Sequence, residues 1–271
     1  MRDIISFYGL SRAGNHAVIF WIIKNIEKNT KKKIVFFNNA KWLFDTQDLT
    51  VAQAYGKLGT KEKRKQYRDV SKMLKDNKHQ FALLSFEDRG ICNVQGKKPF
   101  NEKEWHIKNH HKVVLIRDPF NYFASKIKHL HQKGKKNVAL FKKNITPLSM
   151  RWIDYAKEYL GEIECFNKGI CVSYNHWFLS ASYRKKTFKK FGYGETDGAP
   201  YVKVHQFGHG SSFNGTSKKG TQLKVLDRWR VFQNDPLYRS VFKNKDKDTG
   251  KQLIHYSEKI FGKMPGTEVL Y

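Results

Sequence analysis

The chain has 271 residues with 52 Lys+Arg against 24 Asp+Glu, a formal net charge of +28, and 14% aromatic residues in a 39% hydrophobic composition. That length and aromatic content exclude a disordered basic tail and fit one α/β domain with a sizeable core. The charge points to polyanionic partners: nucleic acid, an anionic membrane surface, acidic glycans or phosphorylated cofactors. Because the lysines are scattered along the chain, much of the charge is also expected on a solvated surface. Cys92, Cys165 and Cys171 form no C-x-x-C pair and are odd in number. Their spacing predicts neither a disulfide framework nor a zinc site, which favours a reducing, cytoplasmic setting. No apolar run approaches the roughly 18 residues of a membrane span, no leader precedes the first strand, and no H-E-x-x-H helix predicts a metal.

In chain order, Ile4, Ile5, Phe7 and Tyr8 form a short apolar run that fits a buried strand. The chain then turns at Gly9 and Gly14, and Ala17, Val18, Trp21 and Ile22 recur at helical spacing. A strand, a glycine turn and a helix start aim free backbone N–H groups at an anion, here expected to be a phosphate or sulfate. Lys33 to Asn38 reads as a second strand, Lys61 to Asn77 as a charged helix, and the segment 39–60 between them as mostly helical. Gln80 to Phe86 is a third strand ending in Glu87-Asp88, and His111 to Ile116 a fourth ending in Arg117-Asp118-Pro119 and a helix through His131. The second half predicts helices at Pro147–Leu160, Trp177–Phe191, Leu223–Val231 and Lys251–Phe261, and a strand at Ile170–Tyr174. Residues 192–220, rich in Gly, Ser, His and Thr, read as a long functional loop. Residues 1–262 make one domain and 263–271 a peripheral tail. Alternating strands and helices predict a mostly parallel sheet flanked by helices, with ligands beyond the carboxyl ends of its strands, where Arg12, Glu87 and Arg117 fall.

Gly9 and Gly14 match the outer glycines of G-x-x-x-x-G-K-[ST], but Asn15 and His16 stand where that loop needs Lys and Ser or Thr. An ordinary ATPase or kinase is disfavoured on that ground. The loop resembles the phosphosulfate-binding loop of the sulfotransferase family, P-[KR]-S-G-T-[TS], with Arg12 and Gly14 in place, Ser11 for Pro, Ala13 for Ser, and Asn15-His16 for the hydroxyl pair. In VVLIRDPFNYFASKIKH, Ser125 follows Arg117 on the next helix. This is similar to the element by which sulfotransferases hold the 3′-phosphate of their donor. A guanidinium fork suits a phosphate, and a hydroxyl two helical turns on adds a donor; Asp118 and Pro119 also make a good helix start.

The resemblance implies a three-layer, P-loop-like α/β fold and transfer of a sulfuryl group from 3′-phosphoadenosine 5′-phosphosulfate (PAPS), with adenosine 3′,5′-bisphosphate as product and no metal. It implies that the loop from Ser11 through Ala17 holds the 5′ end, and that Arg117 and Ser125 hold the 3′-phosphate. Tyr174 would lie beside the adenine; its alternative is a core aromatic, the reading favoured for Trp177 and Phe178. Ser211 and Ser212, in FGHGSSFNGTSKKG, would close over the donor. For the base, Glu87 stands where the family places a catalytic residue after this strand, with His16 as rival; the bland alternative for Glu87 is an ion pair with Arg89. The acceptor is a hydroxyl or amine, an acidic glycan being favoured by the charge. A nucleotide binder without transfer activity and a basic nucleic-acid-binding protein are the competing functions; no nucleic-acid module supports the latter.

Overall fold

The computed structural model describes residues 2–32, 34–42, 49–50, 53–55, 81–92, 107–200, 213 and 223–271. Strands are β1 (Arg2–Gly9), β2 (Val35–Asn38), β3 (Lys41–Trp42), β4 (Leu49–Thr50), β5 (Gln53–Tyr55), β6 (Phe81–Glu87), β7 (Ile107–Ile116) and β8 (Ile170–Ser173). They form a sheet of order β5-β2-β6-β1-β7-β8, parallel throughout except for the antiparallel edge strand β5, and a separate β3-β4 pair. Ile4, Ile5 and Phe7 of β1 are fully buried, as are Phe81 to Leu84 of β6 and Val113 to Ile116 of β7. Such unbroken apolar runs are what a parallel sheet needs when helices cover both of its faces.

The helices are α1 (Asn15–Thr30), α2 (Pro119–Lys133), α3 (Lys135–Lys143), α4 (Ile145–Leu160), α5 (Tyr174–Leu179), α6 (Ala181–Lys189), α7 (Pro236–Phe242) and α8 (Thr249–Phe261). Trp21 of α1 meets Trp177 of α5 and Phe188 of α6 at ring separations of 6.0 and 5.8 Å, building one helical layer. Phe120 of α2 stacks on Phe242 of α7 at 4.9 Å in the other, where α4 also packs on α8. The result is the expected three-layer α/β arrangement. Its topology places β1 centrally, between β6 and β7, so the loop after β1 opens in the middle of the carboxyl edge.

Several expectations are corrected. The segment expected to be mostly helical contributes β3, β4 and β5 instead. The helix expected over Trp177–Phe191 is two: Ser180 adopts an extended conformation, and its Oγ accepts from Tyr183 N at 3.1 Å, capping α6. Serine's ability to bond a nearby backbone N–H makes it a helix start rather than a helix interior. Over Leu223–Val231 the chain forms only a 3₁₀ turn at Arg228–Phe232. The helices α3 and α7 were not foreseen. Of the tail after Gly262, Leu270 is fully buried. Cys92 and Cys165 form a disulfide across 73 residues, which leaves Cys171 free and overturns the expectation of unpaired thiols. The helix expected at 61–77 lies outside the described residues. Among the described residues no helix is long and apolar enough to cross a membrane, and no group of three or more His, Cys, Asp or Glu gathers as metal ligands.

Candidate anion-binding site

After Gly9 the chain reverses within five residues, with Ala13 N donating to Leu10 O at 3.0 Å. The reversal needs Arg12 at φ 76° and Gly14 at φ 100°, both left-handed. Gly14 is doubly required, because a Cβ there would also collide with the Tyr174 ring. Gly14 begins α1 without any side-chain cap. Ala17 N turns back to Gly14 O at 3.1 Å. The N–H groups of Asn15 and His16 have no helical carbonyl one turn back, and so face outward with the positive end of the helix dipole.

Side chains from the ends of β6 and β2 brace this loop and the start of α1. Asp88, just past β6 and itself left-handed at φ 55°, donates its N–H to Gly9 O at 3.1 Å. Its carboxylate accepts from Ser11 N at 2.9 Å and Ser11 Oγ at 2.6 Å, and pairs with Lys126 Nζ at 3.3 Å. Burial raises the Asp88 pKa, but the Lys126 charge and the Ser11 hydrogen bonds outweigh it and hold the carboxyl below its ordinary value. Asn15, buried, donates from Nδ2 to Leu10 O at 3.2 Å and to Glu87 Oε1 at 3.0 Å. His16 Nε2 lies 3.1 Å from Asn38 Oδ1, which also receives Ser85 Oγ at 3.1 Å. Left-handed non-glycine residues thus follow β1, β2 and β6 at Arg12, Asn39 and Asp88, a concentration of backbone strain at one edge of the sheet.

Beside the loop lies a second cluster. Arg117 leaves the end of β7 with 2% of its surface exposed. Its Nη1 reaches Arg12 O and Ser125 Oγ, both at 3.4 Å, and its Nη2 donates to Val225 O. Its Nε makes no hydrogen bond. Arg228 Nη1 donates to the same Ser125 Oγ at 3.1 Å. Two buried guanidiniums therefore converge on one hydroxyl. Burial first, then the Arg117 charge, pulls the Arg228 pKa down to about 9, so it stays cationic at neutral pH. Trp152 Nε1 holds Arg117 O at 2.8 Å from α4, and the Tyr174 ring lies 5.0 Å beneath the Arg117 guanidinium. Asp118 caps α2 by accepting from Asn121 N at 2.7 Å and takes Asn175 Nδ2 at 2.9 Å. Burial raises its pKa despite the Arg117 charge and these donors.

The structure brings together Ser11, Arg12, Gly14, Asn15, Glu87, Arg117 and Ser125. Ala13 and Tyr174 are buried beside them, Ala13 under the turn and Tyr174 between Gly14 and Arg117. The Ala17 side chain is half-buried on α1, and His16 turns toward β2. Ser211 and Ser212 lie outside the described residues. Phe213, next in sequence, stacks 5.0 Å from the Arg228 guanidinium. Missed from sequence were Asp88, Lys126 and Arg228. Lys126 adjoins Ser125, and Asp88 adjoins Glu87, so adjacency was their available signal. Arg228 is 103 residues from Ser125, with no local pattern to mark it. No family model, curated protein or solved structure matches this chain.

Proposed function

We propose that the protein is a sulfotransferase that takes a sulfuryl group from PAPS and delivers it to a hydroxyl or amine acceptor, acidic glycans being the class its charge favours. The observation that carries this reading is the pairing of two anion-binding features at one sheet edge. The uncapped α1 start and the Arg117–Ser125–Arg228 cluster are joined through the bond from Arg117 to Arg12 O. A nucleoside with phosphates at both its 5′ and 3′ positions matches such a site. The unpartnered Arg117 Nε, with the Arg228 guanidinium on the same Ser125 hydroxyl, fits a phosphate dianion.

PAPS, when bound, supplies an activated sulfuryl group on a phosphate leaving group. The chain has to position and neutralise. The Asn15 and His16 N–H groups and the Arg12 guanidinium stabilise negative charge at the 5′ end. Arg117, Ser125 and Arg228 anchor the remote phosphate, and binding energy there fixes the reacting end. In this reading Glu87, held on Asn15 at the loop, accepts the acceptor's proton, and the engagement of the His16 imidazole with Asn38 supports Glu87 over His16. The experiment is calorimetric titration with adenosine 3′,5′-bisphosphate in the absence of Mg²⁺. Micromolar binding that Arg117→Ala abolishes supports the reading. No binding by folded wild type refutes it and returns polyanion binding to first place.

A further inference from the structure

We infer that Lys126, from α2 rather than from the loop, joins Arg12 as a cation that engages the ligand's 5′-phosphate and neutralises it as the sulfuryl group leaves. The inference rests on the bisphosphate reading above. The loop has Asn15 where a phosphate-binding lysine would stand, and the Nη2 of its one basic side chain, Arg12, lies 2.9 Å from His129 Nδ1. Lys126 comes to the loop from outside. Its Nζ sits 2.5 Å from Ser11 Oγ and 3.3 Å from Asp88 Oδ2, with the side chain only 14% exposed.

Helix geometry explains how α2 serves both ends of the site. Consecutive helical residues point about 100° apart. Ser125 is directed to the two guanidiniums, and Lys126, next in sequence, to the loop. An ammonium has three N–H donors. Asp88 and Ser11 accept from it, and those same Asp88 oxygens are already shared with Ser11 N and Oγ. Asp88, divided between Ser11 and Lys126, is a weak counter-ion for a buried ammonium, with Glu87 adding only its charge, and a phosphate dianion arriving at the adjacent helix start is a stronger one. Burial lowers the Lys126 pKa while Asp88 raises it, consistent with a cation short of solvation. In the transfer step the acceptor oxygen forms a bond to sulfur as the bond from sulfur to the bridging oxygen breaks. That oxygen keeps the electron pair beside the Lys126 ammonium, and the acceptor's proton passes to Glu87.

The test titrates wild type, Lys126→Met and Lys126→Arg with adenosine 3′,5′-bisphosphate and, separately, with adenosine 3′-monophosphate, thermal unfolding being recorded for each. Loss of a charged hydrogen bond predicts about tenfold to hundredfold weaker bisphosphate binding in Lys126→Met. Binding of the 3′-monophosphate stays within about twofold of wild type, and Lys126→Arg recovers part of the bisphosphate affinity. Should Lys126→Met not fold, Lys126→Gln, which keeps a donor to Asp88 and Ser11, takes its place. Unchanged bisphosphate affinity, or equal loss for both ligands, overturns the inference while leaving the bisphosphate site standing. Failure of wild type to bind either ligand removes the bisphosphate reading itself and the inference with it.

Discussion

The two ends of the site balance charge in opposite ways. At the loop end each cation has an acidic neighbour: Lys126 pairs with Asp88, and Glu87 bears on Arg12. At the other end Arg117 is bonded to the carbonyls of Arg12 and Val225 and, with Arg228, to the Ser125 hydroxyl, while the Asp118 carboxylate, bonded to Asn121 and Asn175, acts on both guanidiniums through its charge. Neutral oxygens satisfy the hydrogen-bond geometry of Arg117 but do not neutralise its charge. The guanidinium end is thus preset for an anion, and the loop end must exchange partners to receive one. Affinity is expected to come mainly from the first and chemistry from the second.

The comparison can be broken or sharpened experimentally, beginning with the largest effect. Only the loop end is tethered by the disulfide, because Cys92 lies shortly after Asp88 and is bonded to Cys165. Closing a loop of 73 residues stabilises the fold by about 4 kcal/mol in the chain-entropy treatment. Cys92→Ala with Cys165→Ala should lower the unfolding free energy by an amount of that order in urea titration. Bisphosphate affinity should change little, since Arg117 and Arg228 keep their bonds to Val225 O and Ser125 Oγ without the disulfide. A large loss of affinity would show that the two ends do not act separately.

Asp88→Asn comes next. It removes a half-buried counter-ion and weakens the Ser11 bonds, so thermal unfolding should show a loss of about 1 kcal/mol, solvent screening reducing the ion-pair part. It should also strengthen phosphate binding severalfold in calorimetry, because the competing carboxylate charge is gone. The wild-type Asp88 contribution to stability is present above its unfolded pKa and disappears as pH falls through its lowered folded value. In Asp88→Asn that acid-side decline should be shallower.

The guanidinium end is predicted to respond on the alkaline side instead. Burial and the Arg117 charge lower the Arg228 pKa, its folded value being about 9, so the second cation on the Ser125 hydroxyl is held at a cost that a bound phosphate relieves. Bisphosphate affinity should therefore fall about tenfold in Arg228→Gln and be most sensitive to alkaline pH in wild type. The sign for folding is opposite: between that folded pKa and the unfolded one the unfolded state holds more protons, so this group's contribution to stability rises with pH. Ser125→Ala is the smallest change. It removes a hydroxyl shared by two cations and should weaken bisphosphate binding by about 1 kcal/mol, roughly fivefold, by calorimetry.

What was legible in the sequence was what local spacing encodes. The β1 turn into α1 follows from a switch of hydrophobic period around Gly9 and Gly14. Arg117 and Ser125 could be paired because one strand end and one helix separate them. The Lys126–Ser11 contact spans 115 residues and the Arg228–Ser125 contact 103. Neither leaves a periodic trace: the first is made by the pairing of β1 with β7, which brings α2 to the loop, and the second by the packing of the Arg228–Phe232 turn on α2. The disulfide escaped for the same reason. The short strands β3, β4 and β5 were mistaken for helix because two or three residues are too few to display alternation.

The most direct test of the two-ended site is a crystal structure with adenosine 3′,5′-bisphosphate bound. One phosphate should lie within hydrogen-bond distance of Arg117, Ser125 and Arg228, and the other on the N–H groups of Asn15 and His16 beside Lys126. A ligand bound elsewhere, or held by one phosphate with the second in solvent, would contradict the account.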